Sequence, residues 1–240
     1  MRKGFTLVEL SIVLVIIGLL IGGILAAQSM IASSRIQKAV KTLQQFDTAV
    51  SNFQVKYNSL PGDTKLMTPS GDGDGEIEDA SQNFWGYMWQ FTGEIAQVWP
   101  HLQMAGFMAS SPTFVSTVAT NFATKGLTPN SPELPWKNTG VVAYQNNAFA
   151  PNQHAWLLGD FTNVFTSGNL NLNWPASMAS IPAEDALALD AKLDDGAAGT
   201  GRISNQNASC ATSGVYNVEA GAKCNLFVSM FLSIDREQNN

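Results

Sequence analysis

The chain begins MRKGFTLVELSIVLVIIGLLIGGILAA (residues 1–27). Arg2, Lys3 and Gly4 stand before an apolar run of about 18 residues that contains no Lys, Arg or Asp. At about 1.5 Å of rise per helical residue, that run is long enough to cross a bilayer core. One carboxylate, Glu9, sits near its start. A charge near the edge of a spanning helix costs less than one at the centre, but still asks for a partner. A secretory signal peptide has a basic start too, but a shorter apolar stretch and a small-residue cleavage site after it. Here the run is too long, Ala26-Ala27 leads into Gln28, and Glu9 interrupts the front. A plain anchor helix fits the hydropathy and leaves Gly4-Phe5 beside Thr6-Leu7-Val8-Glu9 unexplained.

Beyond this run, residues 28–57 contain neither Pro nor Gly. Ile36, Val40, Leu43, Phe46, Val50, Phe53 and Tyr57 recur at steps of three or four, which is one stripe of an amphipathic helix. Arg35, Lys38, Lys41, Gln45 and Lys56 occupy the other face. The pattern predicts one helix from about Thr6 to Tyr57, its first half in lipid and its second half on a folded body. Asn58-Ser59-Leu60-Pro61-Gly62-Asp63 ends it, because Pro and Gly continue a helix only at a cost.

Residues 3–9, Lys-Gly-Phe-Thr-Leu-Val-Glu, resemble the class III signal of type IV prepilins and type II secretion pseudopilins, residue for residue. The resemblance covers the first thirty or so residues. It implies that a membrane-embedded prepilin peptidase cuts between Gly4 and Phe5 and N-methylates the new Phe5 amine. It also implies that Glu9 is the carboxylate needed for filament assembly. In an apolar filament core an unpaired Glu9 is expensive. The Phe5 amine of a neighbouring subunit would neutralise it and set the stagger between subunits. Main pilins often carry Pro at the position of Ala26, and this departure leans toward a pseudopilin or minor pilin.

The implied fold class is α+β and type IV pilin-like: a long N-terminal helix packed on an antiparallel sheet, with extra helices and long loops. The implied division is a cleaved leader (1–4), the N-terminal helix (5–57) and a globular domain (58–240). Within the helix, 5–27 is the transmembrane and assembly segment and 28–57 the amphipathic one. The 240 residues suit one main domain beyond that helix, and 45% hydrophobic content supplies its core. Net charge is −6, and loss of Arg2 and Lys3 with the leader leaves the chain near −8. No basic patch with interleaved aromatics argues for nucleic acid as the main partner. A basic start and an acidic remainder fit a leader in the cytoplasm and a body on the far side of the inner membrane.

The polar stretch 62–80 contains Ser70-Gly71-Asp72-Gly73-Asp74-Gly75-Glu76-Ile77. This partly matches a calcium loop: oxygen side chains at positions one, three and five, Gly at six, and Ile at eight. Position twelve is Ser81, where a bidentate Glu belongs, with Glu78 and Asp79 near. Ser70, Asp72, Asp74 and Glu76 are therefore candidate calcium ligands, the alternative being a solvated turn. Asp194-Asp195-Gly196 is a second acidic candidate, better read as a helix end.

Residues 81–109 are aromatic-rich and predict one or two helices. Phe84, Tyr87, Met88, Phe91 and Ile95 share a face, and Pro100 marks a break or a new first turn. Trp85, Trp89 and Trp99 read as core in preference to a ligand-stacking surface. His101 and His154 have no ligand-spaced partner and read as structural or surface residues. Strand-type runs follow at 140–144, 155–158, 163–165 and 225–232. Residues 182–196 predict a helix opened by Pro182 and closed by Gly196. Cys210 and Cys224 enclose a short loop, and many type IV pilins staple a C-terminal loop with a disulfide in this way. An exported body would lie where such a bond persists.

No nucleophile–base constellation, phosphate loop or cofactor motif is present, so the chain reads as an assembling subunit and not as an enzyme. The expected partners are the prepilin peptidase, copies of itself and other pilins in a helical filament, the inner-membrane assembly platform and the membrane. A type IV pilus subunit and a type II secretion pseudopilin are the two leading readings. A membrane-anchored surface-binding module is the third.

Overall fold

The computed structural model describes residues 6–77, 93–110, 113–114, 131–145, 154–161, 178–205 and 207–230. Helix α1 spans Leu7–Tyr57, 51 residues. Thr6 caps it in an extended conformation: its side chain accepts the Glu9 N–H, and the Glu9 carboxylate reaches back to the Thr6 N–H. At the other end Asn58 adopts a left-handed conformation (φ 51°), and its N–H closes on the Gln54 carbonyl at 2.8 Å. Pro61 and Gly62 then carry the chain away.

The two halves of α1 meet different surroundings. Every residue from Thr6 to Ile31 is exposed, including all the large apolar side chains of the run. From Ile36 onward one face is buried: Ile36, Ala39, Leu43, Phe46, Ala49, Val50 and Phe53, with Val40 and Tyr57 packed at its margin. Each large side chain in this stripe contributes about 1.5–3 kcal/mol by leaving water.

The stripe packs toward a four-stranded antiparallel sheet. Strand β1 (Thr139–Gln145) pairs with β2 (His154–Asp160), with Val142 opposite Leu157. Strand β4 (Ile203–Ser204) and β8 (Leu226–Ser229) complete the order β1-β2-β8-β4. Leu158 faces Leu226 across β2 and β8, and Ile203 faces Val228 across β4 and β8. Trp99 lies at the junction of helix and sheet. Its ring is 4.9 Å from Phe46 and stacks on Trp156 at 5.0 Å. It belongs to helix α2 (Val98–Met104), which follows a 3-10 turn at Ile95–Gln97. Pro100 falls in the first turn of α2, where its missing N–H has no intrahelical acceptor to lose.

Helix α3 (Ala183–Leu193) packs against α1 and begins directly after Pro182. Two short antiparallel pairs flank it: β3 (Ile181–Pro182) with β7 (Lys223–Cys224), and β5 (Ala211–Thr212) with β6 (Val215–Tyr216). The architecture is α+β, a long N-terminal helix with antiparallel sheets and extra helices, as the pilin resemblance implies. Of the one or two helices expected over 81–109, the part 81–92 with Trp85 and Trp89 lies outside the described residues, as does the expected strand at 163–165. Residues 231–232 of the last predicted strand do as well.

Candidate functional site

Gly4 and Phe5, the expected processing residues, lie outside the described residues, and the first described residue is Thr6. One Glu9 carboxylate oxygen accepts from the Thr6 N–H and from the Thr6 hydroxyl, each at 2.8 Å. The arrangement places the carboxylate on the first turn of α1, where the exposed N–H groups favour negative charge. In the single chain Glu9 is thus held by its own cap, at the foot of an exposed apolar helix that is long and apolar enough to cross a membrane.

The polar loop after α1 folds back on its own start. Of the four expected ligands, Asp72 and Asp74 come together, and the third carboxylate that joins them is Asp63. Oxygens of Asp63, Asp72 and Asp74 lie within 4.8 Å of one another. Glu76 is not among the three, and Ser70 is exposed. Local hydrogen bonds shape the turn: the Asp74 N–H donates to Asp72 Oδ1 at 3.1 Å and the Glu76 N–H to Asp74 Oδ1 at 2.8 Å. The Asp72 N–H is anchored on Glu94 Oε1 at 2.8 Å. Gly71 is required by the close approach: a Cβ there would stand 2.4 Å from the backbone of Asp63.

Asp63 is 1% exposed. Its Oδ2 accepts from the Gly75 N–H at 3.1 Å and from the Ser59 hydroxyl at 3.4 Å. Its Oδ1 is buried without a hydrogen-bond partner. Burial, together with the neighbouring charges of Asp74 and Asp72, pushes its carboxyl above the ordinary carboxylate value despite the Gly75 and Gly73 N–H groups nearby. In the sequence Asp63 reads only as part of the helix-stop signal. A Gly-Asp pair directly after Leu60-Pro61, answered by Asp72 and Asp74, was the available sign of a shared site.

Around the same loop the two histidines act as braces. His101 is fully buried, accepting the Gly62 N–H on Nδ1 at 2.9 Å and facing the Pro69 carbonyl from Nε2 at 2.8 Å. His154 Nε2 accepts the Ile77 N–H at 3.2 Å. Burial lowers both imidazoles, His154 to about 4.

The second acidic group, Asp190, Asp194 and Asp195, is differently provided. Asp190 accepts from the Tyr216 hydroxyl at 2.6 Å and the Gly196 N–H at 3.1 Å. Asp194 accepts from the N–H groups of Arg202 and Ile203. Asp195 accepts from the Ala197 N–H and the Thr200 hydroxyl. These carboxylates end α3 and hold the following turn. Cys210 and Cys224 are joined in a disulfide that ties the β5–β6 hairpin to β7, and through β7 to the start of α3.

Sequence reasoning passed over Asp47, which lies within the buried stripe of α1. It accepts from the Trp156 indole N–H at 2.9 Å and from the Arg202 guanidinium. Asp185 repeats the device on α3, accepting from the Trp136 indole N–H at 2.7 Å and pairing with Arg35 of α1 at 3.5 Å.

No curated protein and no solved structure matches the chain. The family model described as the prokaryotic N-terminal methylation motif matches residues 1–25. At its N-terminus the chain is therefore similar to type IV pilins and pseudopilins, and residues 1–25 carry their class III signal.

Proposed function

We propose that this chain is a structural subunit of a type IV pilus or related filament. A prepilin peptidase removes residues 1–4 and methylates the Phe5 amine. Residues 5–57 then serve as the assembly helix, and residues 58–240 as the outer body. Before assembly the subunit sits in the bacterial inner membrane as a single-pass protein with its body on the periplasmic side.

The observation that carries this reading is the contrast along α1. Its second half is packed on the body, while every residue from Thr6 to Ile31 is exposed in the isolated chain. So large an apolar helix surface is stable only in lipid or against other helices. Helices leaving the bilayer would exchange lipid contacts for helix contacts, and Gly18, Gly22 and Gly23 permit close approach. Glu9, in contact with its own Thr6 in the single chain, would meet the Phe5 amine of a neighbour. The partners are further copies, other pilins and the inner-membrane assembly platform.

A type II secretion pseudopilin is the second reading. It is favoured by the course of α1, which runs through Ala26 without a Pro.

The test is Glu9→Val. The expected result is a processed subunit that stays in membranes and is lost from sheared surface filaments. Assembly equal to the parent protein would overturn the role of Glu9. A parent subunit confined to membranes would favour the pseudopilin reading.

A further inference from the structure

We propose that Asp63, Asp72 and Asp74 form a divalent-cation site, with calcium as the fitting ion, that clamps the loop after α1 onto the end of that helix. The site is separate from the assembly helix and stands whether or not the filament reading holds.

Two independent observations meet here. The first is convergence: three carboxylates from a twelve-residue stretch bring oxygens within 4.8 Å of one another. Among the described residues no Lys or Arg forms an ion pair with any of them. The second is the state of Asp63. It is 1% exposed, yet its Oδ1 has no hydrogen-bond partner. A buried carboxylate oxygen with no donor and two acidic neighbours is costly, and a hard cation reverses the sign of that cost.

The second acidic group supplies the contrast. Asp190, Asp194 and Asp195 converge as closely, but backbone N–H groups, Thr200 and Tyr216 donate to them. Their charge is already answered by donors. Asp63, by contrast, keeps Oδ1 buried without a hydrogen-bond partner.

The chemistry of the donors points to calcium. All three are carboxylates, with no imidazole or thiolate among them, which suits a hard cation. Calcium accepts irregular oxygen shells completed by water, whereas magnesium demands a near-octahedral one. Asp63 and Asp74 also line an open cleft of about 400 Å³, bounded by Tyr57, Asn58 and Lys65, which gives an ion and its waters a way in. Bound there, the ion would join the residue that follows the α1 stop to the turn that reaches Glu94 and His154.

The test uses the full chain in detergent micelles, with calcium chloride as the probe. Calorimetry is expected to show binding near one ion per chain. The melting temperature should rise by about 5–10 °C at a hundredfold excess over Kd, relative to chelator. Asp72→Asn/Asp74→Asn, whose parent side chains are exposed, should fold and lose both responses. Asp195→Asn should keep them. Absence of heat and of any melting shift in the parent protein would overturn the proposal. So would a response retained in the Asp72/Asp74 variant, or one abolished by Asp195→Asn instead.

Discussion

Asp47 and Arg202 are separated by 155 residues and form a buried ion pair between α1 and the turn that leads into β4. The Asp47 side chain is 7% exposed and that of Arg202 10%. Asp47 also takes the Trp156 indole N–H from β2, and Arg202 Nε donates to the Ser229 carbonyl at the end of β8. The pair thus ties α1 to three strands of the sheet. Because both Asp47 oxygens, the Trp156 indole N–H and Arg202 Nε are matched, it specifies how the helix sits, beyond what the apolar stripe alone would fix.

Removing one partner leaves the other charge buried and alone. Asp47→Ala should cost about 3–5 kcal/mol of body stability. Asp47→Asn keeps an acceptor for Trp156 but strands Arg202, and should fall between the two. Chemical denaturation of the parent and both variants checks the order. A loss below about 1 kcal/mol for Asp47→Ala would show the pair to be dispensable.

Acid should weaken the body through His154. In the folded chain burial holds its imidazole at about 4, against 6.5 when unfolded, so the unfolded state takes up a proton first as pH falls. Stability is therefore full above pH 6.5 and is lost as pH drops toward 4, by roughly 3 kcal/mol at most. His101, also lowered by burial, adds to the loss. Asp63 and Asp190, raised by burial, act in the opposite sense at the acid end, since there the folded state takes up protons first. Denaturation midpoints at pH 7 and pH 4.5 should differ, and His154→Gln should reduce the difference. An unchanged difference in that variant would rule His154 out as the source.

The disulfide closes a short loop, with 14 residues of sequence separation between Cys210 and Cys224. Loop-closure entropy assigns it about 3 kcal/mol. Cys210→Ala/Cys224→Ala should lose about that much, most of it at the β5–β6 hairpin and β7. A melting temperature within a degree of the parent would contradict this.

Gly71→Ala should destabilise by about 1–3 kcal/mol, because a methyl group there meets the Asp63 backbone and the loop has to shift. The same variant should show a smaller calcium-dependent rise in melting temperature. A fully retained rise would mean that the loop need not close on Asp63.

The long helix was legible because its signals agree: no Pro over 28–57, a three-four apolar period, and a Leu-Pro-Gly stop. Strands β1, β2 and β8 were legible from short runs such as Val141-Val142 and Leu226-Phe227-Val228. Strand β4 was not. Ile203-Ser204 has no periodicity of its own and becomes a strand only because β8 offers it an edge. The site was half legible. Asp72 and Asp74 declared themselves by their Gly spacing, whereas Asp63 looked like part of a turn, since burial and convergence belong to tertiary structure. Asp47 left a trace that periodicity counting ignores: a carboxylate four residues after Leu43 and three before Val50, on the apolar face.

The central claim is that the chain is processed at Gly4–Phe5 and assembled through α1. Its most direct test is the intact mass of the native protein, from cells with an active prepilin peptidase and from cells lacking it. The account predicts a chain that starts at N-methylated Phe5 in the first and the full chain from Met1 in the second. A mass that still includes Met1–Gly4 in cells with active peptidase would contradict it and leave an anchored binding module in its place.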